Sequence, residues 1–147
     1  MSGVIDTNIL LYAANADSAE HVAARRFLRD AGTGSASWYL TEGILYEFLR
    51  VSTHARVFTS PLTAAEALQF LDPFVAHPNM RVLTAGSRHW SVLRDLVAQI
   101  AHPSGNLFFD IRTVALMREH GIRQIFTADT DFLQFADIEV VNPIARR

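Results

Sequence analysis

Hydrophobic and polar residues follow two alternating periods along this chain, which predicts strands and helices in turn. Apolar residues that recur every three or four positions are typical of amphipathic helices, and short unbroken apolar runs fit buried strands. Such runs occupy residues 4–6, 35–38, 81–84, 123–128 and 138–141. This alternation predicts an α/β fold with a mainly parallel central sheet flanked by helices.

Capping residues predict where several helices begin. Asp17 and Glu20 have the spacing of a capping box, as do Thr63 and Glu66 farther along the chain. Thr41 is expected to cap a further helix. The first of these helices should extend to about residue 30, and others are expected at residues 9–12, from 87 onward and over 110–120, with Gly121 just past the last.

Composition limits the class of protein. Half of the 147 residues are hydrophobic, so the chain can fold around its own core, and we expect one domain over residues 1–147. Cysteine is absent, which excludes disulfides, zinc–thiolate sites and thiol catalysis. The apolar run 9–14 is too short for a signal-peptide core or a membrane span, so we expect a cytoplasmic protein.

Acidic residues stand where predicted strands end. Asp6 closes the first strand, Asp129 follows the fourth, and Asp131 comes two residues later. Ligands of an open parallel sheet bind beyond the carboxyl ends of its strands, so these side chains are expected to lie together. Two further acids, Asp110 and Glu47, are surrounded in sequence by large apolar residues.

Each acid also has an ordinary structural explanation. Asp110 and Asp131 are placed to cap a helix or a turn. Asp6 can stabilise a turn through its polar neighbours, and Glu47 can face solvent on an amphipathic helix. Taken singly, none of these acids requires a functional role.

Taken together, the acids favour a metal site. Two unpaired carboxylates about 4 Å apart repel by roughly 4 kcal/mol at an effective dielectric of about 20. All 13 basic residues are Arg, and none is adjacent to Asp6, Asp129 or Asp131. Carboxylates without Cys or suitably spaced His suit Mg²⁺ or Mn²⁺ rather than zinc. The net charge of −2 does not itself indicate a nucleic-acid partner, but bound divalent ions would make the balance positive.

Four segments together resemble the PIN-domain ribonucleases and, within them, the VapC toxins of bacterial toxin–antitoxin pairs. These segments are 4–13 (VIDTNILLYA), 47–51 (EFLRV), Asp110 before Ala115, and 127–132 (TADTDF). They occur in the family order over nearly the whole chain. The resemblance implies a PIN-like fold and a metal-dependent endoribonuclease that leaves 5′-phosphate and 3′-hydroxyl ends.

The same resemblance implies site residues and partners. The catalytic and metal-binding quartet would be Asp6, Glu47, Asp110 and Asp129. Asp131 would be an additional metal ligand, and the residues that hydrogen-bond these acids would be Thr7, Asn8 and Thr127. The implied partners are an RNA substrate, a VapB-like antitoxin protein and a second copy of the chain in a homodimer.

One ambiguity concerns the second acid of the quartet. Glu42 lies five residues before Glu47, about 140° away around a helix, so the two cannot face one site. The EFLRV segment favours Glu47, whereas Glu42 is well explained as an acidic residue in the first turn of a helix.

Several basic and aromatic residues leave alternatives open. Arg50, close to Glu47, is a candidate for positioning RNA, and Arg112 either contacts substrate or faces solvent. One helix face carries either a phosphate-binding stripe or ordinary solvated residues, namely His21, Arg25 and Arg29. A second set either packs in the core or lines a groove for an antitoxin helix or a dimer contact: Phe70, Leu71 and Phe74.

Two other functions fit the pattern less well. A phosphatase or receiver-type domain with an Asp nucleophile at a strand end uses a Lys, which is absent here. Phosphatases of that type also need an acid two residues after the first, where this chain has Asn8. A catalytically silent RNA-binding or scaffold module of the same fold is the remaining alternative.

Overall fold

The computed structural model describes residues 2–145. Arg146 and Arg147, which we expected to be solvent-exposed, lie outside the described residues. Five short strands form one parallel sheet: β1 (Gly3–Ile5), β2 (Trp38–Thr41), β3 (Met80–Leu83), β4 (Gln124–Phe126) and β5 (Glu139–Val141). The predicted α/β class with a parallel sheet is therefore confirmed.

Helices connect the strands. Within residues 2–145 they are α1 (Thr7–Ala14), α2 (His21–Thr33), α3 (Glu42–Ser52), α4 (Ala64–Ala76), α5 (His89–Ala98) and α6 (Leu107–Glu119), and a 3₁₀ helix covers Thr130–Gln134. In this part of the chain, no helix has both the length and the apolar character needed to cross a membrane.

The order of the strands places two of them at a switch point. Across the sheet the order is β3-β2-β1-β4-β5, so the chain builds outward from β1 on one side and then continues with β4 on the other. Val4 pairs with Ile125 and Ile5 with Phe126. The carboxyl ends of β1 and β4 are therefore adjacent, and this is where open parallel sheets bind ligands.

The strands at this switch point are held by buried aliphatic and aromatic side chains. The side chains of Val4, Ile5 and Ile125 are fully buried. Phe126 stacks on Phe27 at a ring-centroid distance of 5.3 Å. Full burial of this kind contributes roughly 1.5–3 kcal/mol per large apolar side chain, and it fixes the two strand ends relative to each other.

The capping predictions have mixed outcomes. Thr41 caps α3 by accepting from the backbone N–H of Ile44 at 3.1 Å, and Thr63 and Glu66 form the predicted capping box of α4. The box predicted from Asp17 and Glu20 is wrong. Helix α2 begins only at His21, and the Ser18 hydroxyl instead donates to the Glu20 carboxylate at 2.6 Å. These two side chains therefore order the turn before the helix.

Several element boundaries also differ from the prediction, and three of these differences have a visible reason. Strand β2 begins at Trp38 rather than Ser35, because Trp38 to Thr41 are the residues that pair with β3. Helix α5 begins at His89, without a side-chain cap from Ser87. Helix α6 starts three residues before Asp110, because the half-buried Leu107 packs against the core and extends the helix by one turn.

Candidate active site

A cleft between α3 and α6 lies beyond the carboxyl end of β1. It has a volume of about 450 Å³, and Asp6 is among the residues that line it. One wall is the α3 face formed by Gly43, Tyr46, Glu47 and Arg50. The opposite wall is the N-terminal end of α6, with Asn106, Phe109, Asp110 and Thr113. Both sets have the i, i+3, i+4, i+7 spacing of a single helix face.

Asp6 is held rigidly at the end of β1. Its side chain is only 8% exposed, and it caps α1 by accepting from the backbone N–H of Thr7 at 2.8 Å. The second carboxylate oxygen accepts from the Thr127 hydroxyl at 2.7 Å and from the Asn8 amide at 3.2 Å. The expected contacts of Asp6 with its polar neighbours Thr7 and Asn8 are therefore present, and together with Thr127 they fix the direction of the carboxylate.

Three acids converge beside Asp6. Asp110, Asp129 and Asp131 each place one carboxylate oxygen so that all three oxygens lie within 4.8 Å of one another. Asp129 follows β4 and caps the 3₁₀ helix by accepting from the backbone N–H of Asp131 at 2.9 Å. Asp110 reaches the group from α6, so elements distant in sequence supply the cluster.

Glu47 joins the site through Thr7 rather than through that trio. The Thr7 hydroxyl donates to the Glu47 carboxylate at 3.0 Å, while the Thr7 backbone binds Asp6. Glu47 is exposed on its helix and lines the same cleft as Asp6 and Asp110. A single threonine therefore bridges two of the predicted acids.

Asn8 and Thr127 tie the two strand ends together. The Asn8 amide donates to the Thr127 hydroxyl at 2.9 Å, and its oxygen accepts from the backbone N–H of Ala128 at 3.2 Å. The Thr127 hydroxyl also accepts from the backbone N–H of Asp129 at 3.0 Å. Together with its donation to Asp6, every hydrogen-bonding capacity of this hydroxyl is used.

Burial and the proximity of other acids raise the pKa of two of these carboxyl groups. Burial raises the pKa of Asp6 to about 6, despite hydrogen bonds from Thr127 and Thr7 that act in the opposite direction. Burial also raises the pKa of Asp110 to about 7, with further contributions from the charges of Asp129 and Asp6. Both groups therefore lose their protons at a higher pH than an ordinary aspartate, and raised pKa values of this kind are common where buried acids lie close together at functional sites.

These residues fit a divalent cation. The donors are carboxylate oxygens, three of them already within 4.8 Å of one another, and no cysteine is present. Hard oxygen donors of this kind suit Mg²⁺ or Mn²⁺. A bound cation would also offset the repulsion that raises the pKa of Asp110.

The structure places the other predicted residues at or near this cleft. Arg50 and Arg112 both line it. Within residues 2–145, neither guanidinium forms an ion pair or a hydrogen bond. Glu42 is exposed in the first turn of α3, as expected, and is not among the residues that line the cleft.

The stripe on α2 belongs to a different surface. His21, Arg25 and Arg29 line a second groove together with Phe70 and Phe74, and this groove shares no residue with the acidic cleft. Phe70 stacks on the buried Phe48 at 5.0 Å, and Leu71 is buried in the core. Leu71 therefore packs in the core, whereas Phe70 and Phe74 pack against the core and also line this groove.

Several cleft residues were not predicted from the sequence. Tyr46, Gly43, Phe109, Asn106 and Thr113 all line the site. Their spacing relative to Glu47 and Asp110 was a usable signal, since residues three or four positions away share a helix face. These residues were missed because the candidates on the two cleft helices were limited to charged side chains.

Comparison with known proteins agrees with this architecture. Residues 3–138 match the family model described as the PIN domain. Ribonuclease VapC33 of Mycobacterium tuberculosis is 34% identical over 139 residues, covering 95% of this chain and 96% of the relative. Ribonuclease VapC48 of the same species is 32% identical over 145 residues, covering 99% of each chain.

Solved structures share the fold at lower identity. Mycobacterium tuberculosis VapC20, described as a sarcin-ricin loop cleaving toxin, has a TM-score of 0.67 and 22% identity, covering 97% of this chain and all of that one. VapBC2 of Rickettsia felis, bound to a promoter DNA fragment, has a TM-score of 0.69 and 14% identity, covering 95% and 97% of the two chains. With the family model and the sequence relatives, these findings show that the chain belongs to the PIN-domain family and, within it, to the VapC ribonucleases.

Proposed function

We propose that this protein is a metal-dependent endoribonuclease that acts as the toxin of a VapBC-type toxin–antitoxin pair. The observation that carries the proposal is the convergence of Asp6, Glu47, Asp110, Asp129 and Asp131 at the β1/β4 switch point. Three of these acids place oxygens within 4.8 Å of one another. Without a cation, the mutual repulsion of such a cluster of carboxylates destabilises the fold.

The acids would hold Mg²⁺ or Mn²⁺. Asp110, Asp129 and Asp131 offer the clustered oxygens, and Asp6 and Glu47 face the same cleft from the other side. When bound, a divalent ion makes water a stronger nucleophile and stabilises charge that develops on the phosphate and the leaving oxygen. Hydrolysis by this route leaves a 5′-phosphate and a 3′-hydroxyl.

The chain's own residues would orient the reactants. Thr7, Asn8 and Thr127 fix the carboxylates of Asp6 and Glu47 through the hydrogen bonds described above. Oriented acids are required because small displacements of catalytic groups cost large factors in rate. One of these carboxylates would also accept the proton of the attacking water.

Arg50 and Arg112 would bind the RNA backbone. Both line the cleft, and within residues 2–145 neither guanidinium has a partner. A planar guanidinium can bind two phosphate oxygens at once. The position of these two residues at the acidic cleft therefore supports a role on the phosphates next to the scissile bond.

The protein partners are a VapB-like antitoxin and a second copy of this chain. Structural neighbours include VapBC2 of Rickettsia felis and FitAB, each bound to a DNA fragment. The groove lined by Arg25, Arg29, Phe70 and Phe74 offers basic and aromatic surface to an acidic amphipathic helix. We place this activity in the cytoplasm, where RNA and the antitoxin would both be available.

Cleavage of labelled RNA tests the proposal. We expect RNA, but not matched DNA, to be cut with Mg²⁺ or Mn²⁺ and to stay intact in EDTA. Asp6→Asn and Asp110→Asn should each lower the rate by a factor of 100 or more, on the order of the effect of losing a positioned catalytic group. Circular dichroism should show that both variants remain folded.

Asp95→Asn serves as the matched control. Asp95 is an exposed acid on α5 that does not line the cleft, so its variant should cleave RNA at the wild-type rate. If neither wild type nor Asp110→Asn cleaved RNA with Mg²⁺ or Mn²⁺, the nuclease proposal would be contradicted. RNA binding without cleavage would then favour a catalytically silent binding module.

A further inference from the structure

Two exposed aromatic side chains stand on opposite walls of the acidic cleft. Tyr46 is 73% exposed on α3, and Phe109 is 66% exposed on α6. Within residues 2–145 neither ring stacks on another aromatic ring, whereas other aromatic side chains do pack together in pairs. Because both rings line the same cleft as Glu47 and Asp110, their exposed faces are available to a ligand bound there.

We propose that Tyr46 and Phe109 form an aromatic clamp that stacks the two nucleobases on either side of the scissile phosphate. This inference rests on the proposed nuclease function and specifies its substrate as unpaired RNA. The two side chains are substrate-positioning residues, since they contact the bases rather than the reacting atoms.

The position of each ring in its helix supports the clamp. Tyr46 immediately precedes Glu47, and Phe109 immediately precedes Asp110. Each wall of the cleft therefore carries an acid that faces the metal site and an aromatic ring beside it. An RNA strand with its phosphate at the acids would place one base near each ring.

The charge around the rings supports RNA as the occupant. Arg50 lies one helical turn after Tyr46, and Arg112 comes three residues after Phe109. Each aromatic ring is therefore accompanied by an unpaired guanidinium on its own helix. Nucleic-acid sites that bind single strands combine these features, because cations follow the backbone while aromatic faces stack the bases.

The clamp requires unpaired bases. In an A-form duplex the bases are stacked on each other, so their faces are not available to protein side chains. Single strands, loops and bulges can turn bases outward to stack on aromatic rings. The structure therefore assigns this cleft to unpaired nucleotides.

Leucine substitutions test the clamp because they keep apolar bulk and remove the ring. The variants are Tyr46→Leu and Phe109→Leu, with Tyr46→Phe and Phe109→Tyr as conservative counterparts. Trp90→Leu is the control, since Trp90 is 69% exposed on α5 and does not line the cleft. A short single-stranded oligoribonucleotide that contains 2-aminopurine is the probe.

We expect each leucine variant to raise KM for this RNA by about 5- to 150-fold, which is the usual contribution of one stacked base. The value of kcat should change little, and the conservative variants should keep the wild-type KM. Binding of the probe to Asp110→Asn should quench 2-aminopurine fluorescence, and the added leucine substitution should remove that quenching. Trp90→Leu should behave as wild type.

Several outcomes would overturn the clamp. The clamp would be refuted if both leucine variants kept the wild-type KM and quenching, or if they lowered kcat without a change in KM.

Tyr46 also borders a shallow surface with Leu49 and Leu68. A change of mass in light scattering that accompanies the loss of binding would assign Tyr46 to a protein interface instead. Because quenching is measured without cleavage, the clamp is tested even if the wild type does not cut RNA, a result that would refute only the nuclease proposal.

Discussion

At the scale of single residues, the acidic site is defined by carboxylates that are costly to ionise. Asp6 is almost completely buried, and Asp110 is half-buried among other acids. Both have a raised pKa, about 6 and about 7, mainly because burial penalises the charged form. The metal-free protein is therefore destabilised at neutral pH by the same residues that would bind the cation.

This cost predicts how the metal-free protein responds to pH. Because the pKa of each acid is raised in the folded protein, protonation of each acid stabilises the fold. This stabilisation is fully present below the ordinary pKa of 3.8 and is lost as the pH rises through about 6 to 7. In EDTA, the free energy of unfolding should therefore be larger at pH 5 than at pH 8. For the buried Asp6 the difference between these two pH values is roughly 1.4 kcal/mol, because only about one unit of its pKa shift lies above pH 5. Urea unfolding at the two pH values measures it.

Asp110→Asn isolates one of these acids. In EDTA at pH 8 this variant should melt at a higher temperature than the wild type, and the gap should shrink as the pH falls toward 4. Added Mn²⁺ should raise the melting temperature of the wild type more than that of the variant. A variant that melts below wild type at pH 8 would show that Asp110 is not under repulsion.

The acids themselves were predictable from the sequence, but their environment was not. Asp6 and Asp129 were identified by their position after apolar runs, and Glu47 and Asp110 by their apolar neighbours. The Asp6 carboxylate accepts a hydrogen bond from Thr127, which is 121 positions away. Contacts over such a distance leave no periodic signal in the sequence.

At the scale of elements, the cleft depends on two helix faces that meet. Helix α3 presents Glu47 and Arg50, and α6 presents Asp110. The start of α3 was predicted from its cap, whereas the start of α6 was missed by three residues because its first turn is stabilised by packing of Leu107. Local capping signals thus predict helix starts only where local interactions determine them.

Gly43 on α3 faces the side chain of Arg112 on α6. A Cβ at this position would lie 3.3 Å from Nη1 of Arg112, so the glycine leaves room for the guanidinium against α3. Gly43→Ala should stabilise the helix by up to about 1 kcal/mol, because alanine has the higher helix propensity. It should also displace Arg112 and raise KM for RNA severalfold.

Gly32→Ala is the matched control for this prediction. Its Cβ on α2 would meet only Nε2 of His77, at an ordinary distance of 3.8 Å. Thermal melts should show a similar or higher stability in both variants, with a changed KM only in Gly43→Ala. An unchanged KM in Gly43→Ala would contradict the role of Arg112 in RNA binding.

At the scale of the whole molecule, the strand order creates the site. The order β3-β2-β1-β4-β5 makes the carboxyl ends of β1 and β4 neighbours, and Asp6 and Thr127 directly follow these strands. The pattern of strands and helices was sufficient to predict a parallel sheet. It did not predict which strands are adjacent, because strand order depends on packing between distant segments rather than on local propensity.

The acidic cluster is tested by measuring Mn²⁺ binding beside RNA cleavage for wild type and Asp110→Asn. Isothermal titration calorimetry would measure the affinity for Mn²⁺, and cleavage of single-stranded RNA would give the reaction rate. We expect the wild type to bind Mn²⁺ and cleave RNA, and Asp110→Asn to lose both, while Asp95→Asn retains both. RNA cleavage by Asp110→Asn without Mn²⁺ binding, or by wild type in EDTA, would contradict the claim that this acidic cluster is a metal-dependent nuclease site.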